Sequence, residues 1–274
     1  MKGGIGIIGC GNMGGAIARG IASHGSISLE EVYLYDLDAS KAEKLAYETG
    51  CRHGDILQMA RGSQILVLAV KPADFKALAK EISSDIIDQT VVSVMAAVRT
   101  KDIVSILGKD IAVVRAMPNL AASVRRSVTC LYFNEKAAGN GTGLKVREIF
   151  SGIGEVLDVK ESEMDIVTAI SGSGPAYLFS LAEAMVKSAR DEGLSEDTAV
   201  KIVSGTLSGA SILLEKSDRS AGELIKMVAS KGGTTEAALS VFASGGFENI
   251  VKKAVLAAKK RSAEMSGGEK GCSC

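Results

Sequence analysis

Proline and histidine are scarce in this sequence, and neither sign of charge dominates. The 274 residues include three prolines and two histidines, and 32 basic side chains are matched by 32 acidic ones. Few prolines permit long uninterrupted helices, because each proline removes a backbone donor. The balanced charge argues against a surface that holds nucleic acid or an anionic membrane by bulk attraction. No apolar run approaches the roughly 18 residues that indicate a membrane-spanning helix, so neither partner is expected.

The histidines and cysteines form no pattern typical of a metal centre or a disulfide framework. His24 and His53 have no partner at metal-ligand spacing, and the five cysteines are odd in number. Cys272 and Cys274 could bind metal or act in redox chemistry, although a disordered tail is the favoured interpretation. Residues 1–5 lead directly into a strand pattern, without the apolar stretch and cleavage site of a signal peptide. These features predict a metal-free protein of the reducing cytoplasm.

The first part of the chain alternates short β-branched runs with helical patterns. Strands are predicted at residues 4–9, 32–35, 65–70, 90–94, 111–115, 128–133 and 155–159. Helices are predicted between them at residues 13–23, 40–49, 75–82 and 144–150. Several of the strands are continuously apolar, as strands covered on both faces should be. This alternation predicts a mostly parallel sheet with right-handed crossovers.

After about Lys160 the strand pattern stops. Helical periodicity then predicts helices at residues 175–192, 195–215, 221–228, 235–244 and 247–265. We therefore predict an α/β protein of two domains, with the sheet in residues 1–160 and only helices in residues 161–274. The helical part carries more large apolar side chains than it can bury alone. This excess predicts a homodimer with an interface above roughly 2,000 Å².

A glycine-rich turn follows the first predicted strand. Gly9-Cys10-Gly11-Asn12-Met13-Gly14 fits the pattern G-x-G-x-x-G and opens the first predicted helix. In a Rossmann-type unit the first glycine permits the tight turn, the second admits a pyrophosphate, and the third allows close packing of helix on strand. The helix N-terminus then faces the phosphates. This context predicts a bound dinucleotide, and the alternative is an ordinary glycine-rich βα turn.

Asp36 ends the second predicted strand, 22 residues after Gly14. A carboxylate at this place can accept hydrogen bonds from a ribose 2′-hydroxyl and repel a 2′-phosphate. The predicted cofactor is therefore NADPH or NADH, with a modest preference for NADH. Lys41 and Lys44 could instead reach a phosphate, and the alternative role of Asp36 is to cap the helix at 40–49.

Two proline-containing loops follow strands at the edge where open α/β sheets bind ligands. They are Ala69-Val70-Lys71-Pro72 and Arg115-Ala116-Met117-Pro118-Asn119. Proline stops each strand and fixes φ, which predicts a rigid loop beside the cofactor. The alternative is that these loops only end their strands.

Two polar segments begin helices in the second half. Ser171-Gly172-Ser173-Gly174-Pro175-Ala176-Tyr177 is typical of a helix start with proline in the first turn. Ala229-Ser230-Lys231-Gly232-Gly233-Thr234-Thr235-Glu236 gathers backbone N–H groups and hydroxyls at another helix N-terminus. Such a cluster suits a carboxylate, and the alternative is a plain helix cap.

The chain resembles the pyrroline-5-carboxylate reductases over nearly its whole length. The matching stretches, in the family's order and spacing, are GCGNMGGAIARG, LAVKP, VVRAMPN, SGSGPAY, SKGGTT and GGFENIVKKAVLAAKKRSAEM. The resemblance implies a Rossmann-type doubly wound sheet followed by an all-helical dimerisation domain, often within a larger ring. It implies reduction of Δ1-pyrroline-5-carboxylate to L-proline by NADPH or NADH, the last step of proline biosynthesis.

The resemblance also implies roles for individual residues. The cofactor-binding residues are Gly9, Gly11, Asn12, Met13 and Gly14 at the pyrophosphate, Ala69, Lys71 and Pro72 nearby, and Pro118 and Asn119 beside the nicotinamide. The residues that bind the substrate carboxylate are Ser230, Gly233, Thr234 and Thr235, with the catalytic Thr235 hydroxyl near the ring nitrogen. A protonated imine is already electrophilic, so the expected work of these side chains is positioning.

The sequence departs from the family pattern at several positions. Leu120-Ala121-Ala122 replaces the usual Thr-Pro-Ala, and Arg125-Arg126-Ser127 replaces a glycine-containing turn. Lys231 stands where proline is common, and Asp55 falls near a usual asparagine that contacts the adenosine ribose. These changes leave the ring size of the substrate and the preferred nicotinamide open.

Three alternatives to this function remain. One is a reductase of a related cyclic imino acid, such as a piperideine carboxylate. Another is a β-hydroxyacid dehydrogenase, which would need lysine and asparagine where Leu178 and Ala182 stand. The third is a non-catalytic dinucleotide sensor, which should have lost the Gly232-Gly233-Thr234-Thr235 segment that is intact here.

Overall fold

The computed structural model describes residues 3–267, and an eight-stranded sheet is their main element. Its strands are β1 (Gly4–Ile8), β2 (Val32–Tyr35), β3 (Arg52–His53), β4 (Ser63–Leu68), β5 (Thr90–Ser93), β6 (Ala112–Met117), β7 (Ser127–Phe133) and β8 (Gly154–Asp158). They lie in the order β3-β2-β1-β4-β5-β6-β7-β8, and every neighbouring pair is parallel except β6 with β7. The expected α/β fold with a mostly parallel, Rossmann-type sheet is confirmed.

Helices connect the strands and cover the sheet. They are α1 (Asn12–His24), α2 (Ala39–Thr49), α3 (Ile56–Gly62), α4 (Pro72–Ile82), α5 (Thr100–Leu107), α6 (Glu135–Gly139) and α7 (Gly143–Ser151), with 3₁₀ turns at Leu29–Glu31, Leu120–Val124 and Glu161–Glu163. Pro72 is the first residue of α4, where its missing N–H costs no helical hydrogen bond. The predicted start of this helix at residue 75 is therefore too late.

The core lies on both faces of the sheet. Every residue of β1 is buried. Ile5 and Ile7 pack with Ile17 of α1 in one cluster, whereas Ile8 packs with Leu66 and Phe75 in the other. Successive residues of a strand point to opposite faces, which explains why a strand covered on both sides is continuously apolar.

A short helical segment follows the sheet and packs with it. It consists of α8 (Met164–Val167) and a π-helix at Thr168–Gly172. The last turns of the C-terminal helix α13 (Phe247–Met265) belong to the same compact unit, which among the described residues comprises 3–173 and 258–267. The Ser262 hydroxyl there donates to the Asp165 carboxylate at 2.7 Å. Cys272 and Cys274 lie outside the described residues.

A second compact unit spans residues 174–257 and is helical throughout. It contains α9 (Gly174–Asp191), α10 (Glu196–Lys216), α11 (Ala221–Val228), α12 (Thr234–Ser244) and the first part of α13. Ser195 caps α10 and Ser220 caps α11, each accepting from a backbone N–H in the first turn. The domain boundary at 160/161 stays a prediction.

The helical unit leaves much of its apolar surface uncovered within one chain. Ala199 and Val203 are its buried apolar residues, whereas Leu178, Leu213 and Phe242 are among many large side chains that are about half exposed. So many exposed large apolar side chains in one unit indicate a protein interface. Among residues 3–267, no helix combines the length and the apolar character needed to cross a bilayer.

Candidate active site

Two glycines of the loop after β1 are required by packing. Gly9 has φ of 100°, and a Cβ there would lie 2.5 Å from the Ala69 carbonyl oxygen. A Cβ on Gly14 would lie 1.8 Å from the Gly9 carbonyl oxygen. The first glycine therefore makes the turn, and the third lets α1 approach the strand.

Gly11 differs, because nothing in the protein requires a glycine there. Its φ is −72°, and a Cβ would meet no atom within 4 Å. The open space lies at the N-terminus of α1, where the first backbone N–H groups have no helical partner. Asn12 and Met13 begin the helix beside it. A pyrophosphate fits this place, because it needs both the room and the N–H groups.

Asp36 is tied to the glycine loop. One carboxylate oxygen accepts from the Cys10 backbone N–H at 2.7 Å, and the other accepts from the Asp38 N–H at 3.0 Å. The cap of α2 is Asp38, which accepts from the Ser40 N–H at 3.2 Å. The alternative that Asp36 caps this helix is therefore wrong. Lys41 pairs with Asp38 at 3.6 Å.

Cys10, inside the glycine loop, has an unreactive thiol. Burial, and then the neighbouring Asp36 carboxylate, raise its pKa to about 12. The thiol donates weakly to the Tyr35 carbonyl oxygen at 3.6 Å. Because the thiolate is the nucleophilic form, Cys10 contributes to packing in the loop and not to chemistry at neutral pH.

The loops after β4 and β5 lie at the same edge of the sheet as the glycine loop, because parallel strands end together. Ala69 donates its N–H to the Ile8 carbonyl oxygen at 2.8 Å. Lys71 is exposed and precedes Pro72 at the start of α4. The sequence interpretation missed the loop after β5, where Ala97 is buried with φ of 59°. Such backbone strain in a non-glycine residue is concentrated at functional sites.

The loop after β6 is held through Asn119, which follows the buried Pro118. The Asn119 backbone N–H donates to the Ser127 hydroxyl at 3.0 Å, and its side-chain oxygen accepts from the Ala121 N–H at 3.1 Å. Its side-chain NH₂ donates to the Ser171 hydroxyl at 3.1 Å. Sequence reasoning assigned Ser171 only to a helix start, since its partner is 52 residues away.

Two departures from the family pattern have a local explanation. Asp55 caps α3, accepting from the Leu57 and Gln58 N–H groups at 3.0 and 2.9 Å. Its expected ribose contact stays a prediction. Arg125 ends the 3₁₀ turn after Asn119 with φ of 58°, a left-handed conformation that glycine adopts at less cost.

A cavity of about 540 Å³ lies between α1 and this 3₁₀ turn. Its lining residues are Asn12, Met13, Ala16, Arg19, Gly20, Ser23, Leu120, Ala122, Ser123 and Arg125. It therefore borders the open N-terminus of α1, and two arginines are among its lining residues.

The segment before α12 forms a tight turn within the helical unit. The Gly233 N–H donates to the Ser230 carbonyl oxygen at 3.0 Å, and the Gly232 N–H donates to the Glu236 carboxylate at 2.6 Å. A Cβ on Gly233 would lie 2.4 Å from the Ser230 hydroxyl oxygen. Thr234 and Thr235 are the first residues of α12, so this turn gathers hydroxyls and helix N–H groups.

The predicted site residues thus lie in two groups, with Asp55 apart from both. The glycine loop, Asp36 and the loops around Ala69 and Asn119 come together at the carboxyl edge of the sheet. Asp55 lies beyond β3 at the start of α3, and Ser230, Gly233, Thr234 and Thr235 form the turn of the helical unit. Within residues 3–267, no cluster of three or more potential metal ligands is present.

Two family models match the chain. One, described as pyrroline-5-carboxylate reductase dimerisation, matches residues 161–265. The other, described as NADP oxidoreductase coenzyme F420-dependent, matches residues 4–97. Pyrroline-5-carboxylate reductase 2 of Bacillus subtilis is 34% identical over 267 residues, which cover 95% of this chain and 94% of that protein.

Solved structures agree with this similarity. A pyrroline-5-carboxylate reductase from Coxiella burnetii is 32% identical with a TM-score of 0.89, covering 96% of this chain and 98% of that one. The Plasmodium falciparum pyrroline carboxylate reductase with NADP bound is 29% identical with a TM-score of 0.84, and the coverage is again 96% and 98%. Similarity of both sequence and fold extends through the sheet and the helices, and the chain belongs to the pyrroline-5-carboxylate reductase family.

Proposed function

We propose that this protein reduces Δ1-pyrroline-5-carboxylate to L-proline with hydride from NADPH or NADH. The observation that carries the proposal is that one chain keeps both parts of such an enzyme. The open glycine loop lies at the carboxyl edge of the sheet, and the Gly-Gly-Thr-Thr turn is intact in the helical unit. A protein that only senses the dinucleotide would not need the second part.

The sheet unit binds the coenzyme, which supplies the hydride. Gly9, Gly11, Asn12, Met13 and Gly14 would hold the pyrophosphate, Ala69, Lys71, Pro72, Pro118 and Asn119 would bind the rest of the coenzyme, and Asp55 would contact the adenosine ribose. Asp36, whose carboxylate accepts from the Cys10 N–H, would bind the ribose. A negative charge there favours NADH over NADPH modestly, because it repels a 2′-phosphate.

The helical unit binds the substrate. Ser230, Gly233 and Thr234 hold the carboxylate with hydroxyls and the N–H groups at the start of α12. The Thr235 hydroxyl donates to the ring nitrogen as that atom gains electron density. No side chain needs to act as a strong acid or base, because the protonated imine is already electrophilic. The product amine is itself basic and takes its proton from water. The side chains of this turn therefore contribute by binding the substrate and fixing its orientation.

Assembly and location complete the proposal. The exposed apolar face of the helical unit forms a homodimer, and the dimers assemble further into a ring. The enzyme acts on a small molecule in the cytoplasm. Its odd number of cysteines fits this reducing compartment, where thiols remain unpaired.

The direct test is the loss of absorbance at 340 nm when the purified protein is mixed with pyrroline-5-carboxylate and either NADH or NADPH. A six-membered imine, piperideine carboxylate, serves as the comparison substrate. Faster turnover of the five-membered ring supports the proposal. Turnover of the six-membered ring alone, or of neither, contradicts it.

Thr235→Ala tests the role of the hydroxyl. We expect kcat/KM for pyrroline-5-carboxylate to fall at least about tenfold, because one hydrogen bond to the developing charge is lost. Binding of NADH, measured by its fluorescence, should be unchanged. Thr235→Ser keeps the hydroxyl and should retain most of the activity. Near-wild-type turnover by Thr235→Ala would exclude Thr235 from the mechanism.

A further inference from the structure

Ser171 links the π-helix to the loop that follows β6. It lies half-buried on the π-helix at Thr168–Gly172. Its hydroxyl is 3.1 Å from the Asn119 side-chain nitrogen and 3.3 Å from the Val128 carbonyl oxygen. All of these residues belong to the sheet unit.

The chemistry of the three groups fixes the direction of each hydrogen bond. The Val128 carbonyl oxygen can only accept, so the Ser171 hydroxyl gives it its single proton. The Ser171 oxygen is then left to accept, and Asn119 must present its NH₂ group to it. The Ala121 N–H donates to the other end of the same amide, which requires oxygen there. Both partners therefore select the same orientation of the Asn119 amide.

The backbone around this amide is also held. The Asn119 N–H donates to Ser127, and its carbonyl oxygen accepts from the Ala122 N–H at 3.1 Å. A Cβ on Gly172 would lie 2.5 Å from the terminal methyl of Met117, so the π-helix packs closely on the end of β6. Single π-helical turns often occur at functional sites. Among residues 3–267, the second N–H of the Asn119 side chain donates to no partner.

We propose that Ser171 is a positioning residue, which orients the Asn119 amide so that its second N–H donates to the carboxamide oxygen of the nicotinamide. This inference rests on the proposed function, in which Asn119 lies beside the nicotinamide. Without the Ser171 hydroxyl, the Asn119 amide loses the partner of its NH₂ group and is held only by the Ala121 N–H at its oxygen end, so its NH₂ group is less firmly oriented. The effect is confined to the nicotinamide end of the coenzyme.

Two ligands separate this role from a general structural one. ADP-ribose has the adenosine and the pyrophosphate but lacks the nicotinamide. We expect Ser171→Ala to weaken the binding of NADH about five- to tenfold, the effect of one neutral hydrogen bond, and to leave the Kd of ADP-ribose unchanged. Both Kd values are measured by titration of the whole protein, with NADH fluorescence and with calorimetry.

Thr168→Val is the matched control, because it removes a hydroxyl from the same π-helix. That hydroxyl donates to the Met164 carbonyl oxygen at 2.7 Å and does not contact Asn119. The variant should bind both ligands as the wild type does. Asn119→Ala should show at least the same loss of NADH binding, and the double variant should lose no more than Asn119→Ala alone, since Ser171 acts through the Asn119 side chain.

Equal weakening of NADH and ADP-ribose by Ser171→Ala, or no change in either, would overturn the proposal. These titrations contain no imine. If the wild type did not reduce pyrroline-5-carboxylate, the proposed function would be contradicted. The titrations of NADH and ADP-ribose could still be interpreted.

Discussion

The three glycines of the loop after β1 serve different physical purposes. The protein's own backbone requires glycine at Gly9 and Gly14, because a Cβ at these positions would lie 2.5 and 1.8 Å from carbonyl oxygens. Gly11 has open space around it and an ordinary φ. A substitution at Gly11 therefore separates ligand binding from folding, which no substitution at the other two can do.

Gly11→Ala should leave the fold intact and weaken the binding of NADH at least about tenfold, because the new methyl group occupies the space for the pyrophosphate. The cost in stability should be below about 1 kcal/mol, the difference between glycine and alanine as a helix cap. Gly139→Ala is the control, since its Cβ also meets no atom within 4 Å. An unchanged Kd for NADH would remove Gly11 from the pyrophosphate site.

Asp36→Ser should shift the coenzyme preference toward NADPH. The substitution removes the negative charge that repels a 2′-phosphate. The ratio of kcat/KM for NADPH and NADH measures the shift. Asp38→Ser is the matched control, because serine also caps helices well and the lost charge is two residues away. Equal ratios in the wild type and in Asp36→Ser would exclude Asp36 from coenzyme selection.

At the scale of elements, the helices and strand that the sequence failed to predict are short. Strand β3 and helices α3, α5 and α6 have only two, seven, eight and five residues. Their formation depends on neighbours that are distant in sequence. The hydrogen bond between Asn119 and Ser171 likewise joins residues that are distant in sequence. The motif residues of the site were predictable, but the contacts that orient them were not.

Glu161 shows how such a distant neighbour stabilises an element. Its carboxylate accepts from the Thr100 N–H at 2.7 Å and from the Thr100 hydroxyl at 3.0 Å, and so caps α5 from 61 residues away. It also faces the buried Arg115 of β6. Burial lowers the pKa of that guanidinium, and the carboxylates of Glu161 and Asp165 act in the opposite direction.

Glu161→Ala should lower the free energy of unfolding by about 1–3 kcal/mol, because it leaves the N-terminus of α5 without its acceptor and removes one carboxylate that favours the charged form of the buried Arg115. Glu163→Ala is the control in the same 3₁₀ turn. Glu163 is exposed and accepts only from the Lys160 N–H among the hydrogen bonds resolved there. Urea unfolding curves compare the two, and an equal, small loss in both would contradict the role assigned to Glu161.

At the scale of the whole molecule, the helical unit cannot bury its apolar face within one chain. Leu213 and Leu214 on α10 are 54% and 50% exposed. Light scattering should therefore find at least a dimer at low micromolar concentration, as expected for an interface above roughly 2,000 Å². Leu213→Lys should weaken the assembly, whereas Leu144→Lys on α7, where leucine is 82% exposed in the sheet unit, should not. An active monomer would contradict this expectation.

The chain leaves the sheet unit after Ser173 and returns to it at Ala258. In topological terms the helical unit is an insertion, and the last turns of α13 complete the unit that the first residues begin. The Ser262 hydroxyl of α13 donates a hydrogen bond to Asp165, which lies 97 residues earlier in the chain. During synthesis, the sheet unit therefore cannot be completed until the final helix, α13, has been made. A nascent chain that stopped at residue 257 would contain every strand of the sheet but would lack the last turns of α13, which belong to the sheet unit.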